Sequence, residues 1–154
     1  MPTFDATKAE CLILTYKDGL LSAIAHDLKI KVSQLQLQIN EGHQIEAKFT
    51  ASSLRVVNAM QSGAESPSSL SDADKKKIEH TIVEEVLHSA RFPEIKFVST
   101  SVKAAGDVYQ IEGQLSLHGQ TKGVAFTTKR EGERHTAELT LHQPDFGIKP
   151  YSAM

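Results

Sequence analysis

Alternation of apolar and polar residues constrains this chain more than any other feature. Leu35, Leu37 and Ile39 are interleaved with Gln36, Gln38 and Asn40. Ile45, Ala47, Phe49 and Ala51 are interleaved with Glu46, Lys48, Thr50 and Ser52. Successive side chains of a strand point to opposite faces, so each run has one dry face and one wet face. Asn40-Glu41-Gly42-His43 supplies turn residues between the runs, and the pair reads as a hairpin.

The same device recurs along most of the sequence. Leu12 and Leu14 mark a first strand, and Lys17-Asp18-Gly19 a turn. A second strand runs to about Val32, with Ile24, His26, Leu28, Ile30 and Val32 on one face. Further strands follow at Ile95 to Val102 and at Tyr109, Ile111, Gly113, Leu115 and Leu117. Val124, Phe126 and Thr128 form the next set. Ala137, Leu139 and Leu141 form the last, after a Glu131-Gly132-Glu133 turn. Gly106-Asp107 and His118-Gly119-Gln120 punctuate the boundaries. Eight strands joined mostly by short turns make an antiparallel meander.

One interval departs from this period. Residues 62–69 are small and polar and read as loop, within a longer loop from Ser53 to Ser71. Ser71 is then placed to cap a helix with Asp72 and Asp74 in its first turn. Ile78, Ile82, Val83, Val86 and Leu87 recur at helical spacing, which predicts one amphipathic helix from about Asp72 to Ser89, ended by Pro93.

Eight half-buried strands in one domain's length of chain form either two packed sheets or a closed barrel. Six Phe, three Tyr and no Trp leave an interior of modest bulk, which leans toward a partly empty apolar space. Lys plus Arg is 17 against 19 Asp plus Glu. That balance argues against nucleic-acid partners and against a polybasic membrane-surface protein. No run approaches the roughly 18 apolar residues of a membrane span. Met1 to Asp5 lacks the features of a signal peptide, so the expected address is cytoplasmic. The lone Cys11 excludes an internal disulfide and a Cys-rich zinc site.

Three segments carry a family resemblance. They are Ala90-Arg91-Phe92-Pro93-Glu94-Ile95-Lys96-Phe97-Val98-Ser99-Thr100-Ser101, Gly113-Gln114-Leu115-Ser116-Leu117-His118-Gly119-Gln120-Thr121-Lys122, and Asp145-Phe146-Gly147-Ile148. His26 and Asp27 also sit where the family often has a His-containing second strand. The chain resembles the YceI-like family over nearly its whole length. That resemblance implies a mainly β, single-domain, antiparallel, lipocalin-like barrel of eight strands with one helix beside or across it. It also implies a binding protein for polyisoprenoids or long-chain fatty amides or acids, with no catalytic residues and no cofactor, and in some members a homodimer. Many members are periplasmic. Relatives continue past the Tyr151 to Met154 stretch into a final strand, so a seam in the barrel is expected here.

Within that frame the ligand-binding candidates are His26, Leu28, Ile30, Leu35, Leu37, Ile39, Phe49, Phe97, Leu115, Leu117, Lys122, Phe126, Leu139 and Leu141. Leu12 and Leu14 are expected to point inward with them. The aliphatic and aromatic members either line a cavity or pack on one another; parity does not separate the two. His26 is placed to bond a ligand head group, or to serve as a structural histidine. Lys122 is placed to meet a phosphate or carboxylate, or to be a surface lysine. His80, Glu84 and His88 follow at i, i+4 and i+8 on the helix, a spacing for an adventitious metal or for a solvated face. Cys11 with His26 is the one conceivable nucleophile pair, and it lacks a third orienting group. Against the lipid-binding reading stands a packed interaction module that recruits a partner through an exposed sheet edge or the Ser53 to Ser71 loop.

Overall fold

The computed structural model describes residues 3–15, 27–40, 42 and 44–148. In chain order its first strands are β1 (Thr3–Asp5), β2 (Leu12–Thr15), β3 (Asp27–Val32), β4 (Leu35–Ile39), β5 (Ile45–Thr50), β6 (Leu54–Gln61) and β7 (Ala64–Ser66). Helix α1 (Asp72–His80) follows, and then β8 (Glu94–Ala105), β9 (Val108–Leu117), β10 (Gln120–Glu131) and β11 (Arg134–Ala137). They build two antiparallel sheets that curl into a half-barrel. One has the order β1-β4-β5-β8-β9-β10-β11 and the other β2-β3-β6-β7. The β4–β5 hairpin forms as the alternation predicts, with Leu35 opposite Phe49, Leu37 opposite Ala47 and Ile39 opposite Ile45. Strand β3 alternates half-buried Asp27, Lys29 and Lys31 with buried Leu28, Ile30 and Val32.

Inner-face residues of both sheets and the apolar side of the helix form one core. Leu28, Ile30, Leu54, Ile82, Val86 and Phe146 are among its most buried members. Where the sheets meet, the corner is held by hydrogen bonds rather than by bulk. Ser53 is 2% exposed. Its hydroxyl donates to the Thr50 carbonyl (2.7 Å) and accepts from the Gln34 N–H (3.1 Å). Its carbonyl accepts from the Ser33 N–H (2.9 Å) and the Ser33 hydroxyl (2.7 Å). Both oxygens of Ser53 therefore have partners, as a dry junction between sheets requires.

Four expectations need correction. Among the described residues there are eleven strands rather than eight, the extra ones being β1, β6 and β7. Much of the expected Ser53 to Ser71 loop is the β6–β7 hairpin, turning at Ser62 (φ 52°) and Gly63 (φ 82°). A bulge hid it: Lys29 pairs with Asn58, but Ile30 pairs with Val56, so the two-residue period breaks at Val57. In β2 the inward residues are Ile13 and Thr15, because they lie opposite Ile30 and Leu28. Leu12 and Leu14 lie opposite Lys31 and Lys29 and are 41% and 53% exposed. Lastly, β11 ends at Ala137, so Leu139 and Leu141 belong to no strand and are each 39% exposed.

The helix begins as its sequence predicts. Ser71 accepts from the Asp74 N–H (3.1 Å), and Asp74 accepts from the Ser71 N–H (3.2 Å), a capping box. Beyond His80 the backbone continues as a π turn, Thr81–Val86, with the Leu87 N–H donating to the Ile82 carbonyl. This wider turn keeps Ile82, Val83, Val86 and Leu87 all buried. Glu79 ties the helix to the bulge, its Oε1 accepting from the Val56 N–H at 2.8 Å. Removing the carboxylate strands that donor. Glu79→Ala is therefore expected to cost about 1–3 kcal/mol in urea unfolding, and Glu79→Gln, which retains an acceptor, markedly less.

Candidate functional site

Cross-strand register shows how the large sheet presents its inner face, since directly opposite residues share a face. One row runs Leu35, Phe49, Ile95 across β4, β5 and β8. The next runs Leu37, Ala47, Phe97, Leu115 and then Lys122, across five strands. Gly113 lies opposite Val124, and Ile111 opposite Phe126. Phe126 stacks at a tilt on Phe97, ring centroids 5.4 Å apart. The centre of this surface is sealed: Ala47, Phe97, Ile111 and Leu115 are buried. Its flanks are only half-buried, at Leu35, Leu37, Ile39, Phe49, Leu117 and Phe126.

The candidates from sequence thus fall into four groups. Leu28, Ile30, Phe97 and Leu115 are buried core. Leu35, Leu37, Ile39, Phe49, Leu117 and Phe126 are apolar and half-buried. Lys122 is exposed at the end of its row, and with Leu139 and Leu141 it borders an open cleft of about 350 Å³. His26 lies outside the described residues, as do Ile24 and the Lys17-Asp18-Gly19 turn.

A second cleft, of about 360 Å³, was not foreseen, although every segment that carried the family resemblance contributes to it. Strands β9 and β10 are joined by only two residues, His118 (φ 55°) and Gly119 (φ 75°). Both are left-handed, the geometry of a tight hairpin turn. Phe92 presses on that turn: a Cβ added at Gly119 would stand 2.6 Å from the Phe92 ring. The Phe92 and His118 centroids are 4.8 Å apart, and the His88 and His118 centroids 5.6 Å. His118 Nδ1 donates to the Phe146 carbonyl at 3.2 Å, since a carbonyl only accepts. Its Nε2 is buried without a hydrogen-bond partner. Gly147 (φ 69°) ends the short 3-10 turn Gln143–Phe146 and so fixes where that carbonyl points. His88 does not extend a helical row with His80 and Glu84. It leaves the π turn with φ 51° and faces His118 instead. No group of three His, Cys, Asp or Glu able to hold a metal occurs among the described residues.

Cys11 is half-buried and packs against the core. Burial pushes its thiol pKa up, so less thiolate exists at a given pH than for a free cysteine. That is the opposite of an activated nucleophile. At pH 8 its alkylation by a maleimide is expected to be slower in the native protein than in urea. Equal rates would contradict this burial.

Two antiparallel sheets curled into a half-barrel, with one helix packed on the smaller sheet, define a mainly β class of small domains. The YceI-like domain model matches residues 14–154, and this chain belongs to that family. It is 38% identical over 81 residues to a UPF0312 protein of Pseudomonas putida strain F1, and 36% identical over 81 residues to one of Pseudomonas fluorescens strain SBW25. In each case the match covers 46% of this chain and 42% of the relative, so the chain spans less than half the length of those relatives. Among solved structures, Burkholderia cenocepacia BcnA is similar in fold, with TM-score 0.56 and 14% identity over 79% of this chain and 73% of that one. A polyisoprenoid binding domain from Saccharophagus degradans is similar with TM-score 0.53 and 9% identity, over 81% and 71%. No helix among the described residues is long and apolar enough to cross a membrane.

Proposed function

We propose that this protein binds an apolar long-chain molecule, a polyisoprenoid or a fatty amide or acid, against the inner face of its half-barrel, and that it does so without catalysing a reaction. The observation that carries this reading is the unfinished burial of the inner face. Leu35, Leu37, Ile39, Phe49, Leu117 and Phe126 flank a sealed centre yet keep part of their surface uncovered. Covering such surface gains about 0.8 kcal/mol per ligand methylene. Roughly ten methylenes are then needed to reach micromolar affinity, before the cost of association. A long chain suits that requirement, and a small polar metabolite does not. Lys122, at the exposed end of the Leu37–Leu115 row, is available to a carboxylate or phosphate at the ligand's end. The similar fold of a polyisoprenoid binding domain supports the same reading. So does Cys11, whose raised pKa speaks against thiol catalysis.

Native mass spectrometry tests the proposal. Protein incubated with farnesol or oleamide is expected to carry one added ligand mass that survives desalting. An apo mass with both ligands, together with no heat of binding in titration, would count decisively against it.

A further inference from the structure

We propose that the cleft between the π turn, the β9–β10 turn and Phe146 binds an oxyanion, a phosphate or carboxylate, through the Arg91 guanidinium and the imidazoles of His88 and His118. The inference does not depend on the apolar-chain reading.

Three independent observations converge on it. The first is donor chemistry. Arg91 has no carboxylate partner among the described residues, and its guanidinium carbon stands 5.3 Å from the centroid of Phe92. Guanidinium groups match the oxygens of phosphate and carboxylate in pairs. His88 is exposed beside it. His118 already spends Nδ1 on the Phe146 carbonyl, and its buried Nε2 has no partner. A buried nitrogen in that state is costly, and a ligand hydroxyl that donates to it, such as the P–OH of a hydrogen phosphate, removes the deficit.

The second is backbone. Three non-glycine residues among those described have a positive φ, and two of them are His88 and His118. Such conformations cost on the order of 1–3 kcal/mol each and gather at binding and switch sites. The π turn that delivers His88 is itself a rare form that favours such sites. The third is the wall. Val86, Phe92 and Phe146 line the same cleft, and apolar walls strengthen the attraction between fixed cations and a bound anion. Glu85 is the one acid lining the cleft, and it opposes an anion there.

The test is titration of the full chain with inorganic pyrophosphate, farnesyl diphosphate and farnesol, followed by the histidine ring Cε1–H NMR signals. Both anions are expected to shift the His88 and His118 signals saturably. Arg91→Gln should weaken each roughly tenfold, and Glu85→Gln should tighten each a few-fold. Lys103→Gln, at an exposed lysine of β8 that lines neither cleft, should leave both unchanged. His88→Asn, which keeps a residue tolerant of positive φ, should weaken binding without unfolding the chain. Comparable affinity for the two anions would identify a free anion as the ligand. Much tighter binding of farnesyl diphosphate would identify a lipid head group. Absence of any shift with either anion at millimolar concentration overturns the proposal, as does unchanged affinity in Arg91→Gln. Farnesol binding alone, without an anion response, overturns it too while leaving the apolar-chain reading standing.

Discussion

Gly113→Ala is expected to lower stability by about 3 kcal/mol and the melting temperature by about 6–12 °C. Gly113 has an ordinary strand backbone, so the cause is not conformational freedom. A Cβ there would stand 2.5 Å from Phe97 Cζ and 2.5 Å from the Val98 carbonyl oxygen. The ring cannot simply swing aside, because Phe97 is 6% exposed and packs on Phe126. The carbonyl belongs to the neighbouring strand and cannot move without disturbing the β8–β9 ladder next to its irregularity at Ser99 and Ser101. Gly123, on β10, is the control. The nearest atom to its added Cβ is Gln114 Nε2 at 4.0 Å. Gly123→Ala is expected to fall within about 0.5 kcal/mol of the parent. Equal stability of the two variants would mean that Phe97 does not lie flat over β9.

The second large effect is expected at Phe146. This ring is 2% exposed and borders both clefts. Phe146→Ala should cost about 3–5 kcal/mol, the usual range for emptying a buried aromatic site. It should also join the two clefts into one space. That space is open to water and lined by Lys122, Asp145, Glu85 and Arg91, so it brings no compensating burial. Phe146→Leu, which fills most of the volume, should cost far less. A loss below about 1 kcal/mol for Phe146→Ala would contradict its place in the core.

Much of the fold is legible in the sequence where the two-residue period runs unbroken. Leu35 to Ile39 with Ile45 to Thr50, and Leu28 to Val32, appear as strands with the expected residues inward. The helix start is legible because Ser71 and Asp74 form their cap locally. Local signals fail where a distant partner decides the outcome. Leu12 and Leu14 alternate correctly, but the register with β3 turns Ile13 inward instead. The bulge at Val57 splits Leu54 and Val56 from Ala59, and the strand reads as loop. Leu139 and Leu141 keep strand spacing after the chain has left the sheet. The His88–His118 cleft was legible only as separate turn and motif residues. Nothing in the spacing of His88, Phe92, His118 and Phe146 announces that a π turn, one hairpin turn and a 3-10 turn bring them together. The glycines of the second motif, by contrast, acquire definite causes: Gly113 lies under Phe97, and Gly119 under Phe92 with a positive φ.

The central claim is that the uncovered inner face receives an apolar chain, and isotope-filtered NOE spectroscopy addresses it most directly. With unlabelled farnesol or oleamide added to protein labelled at its methyl groups, contacts are expected from the ligand chain to Leu35, Leu37 and Leu117. Contacts confined to the outward Leu12 and Leu14, or none to any inner-face methyl under saturating ligand, would contradict it.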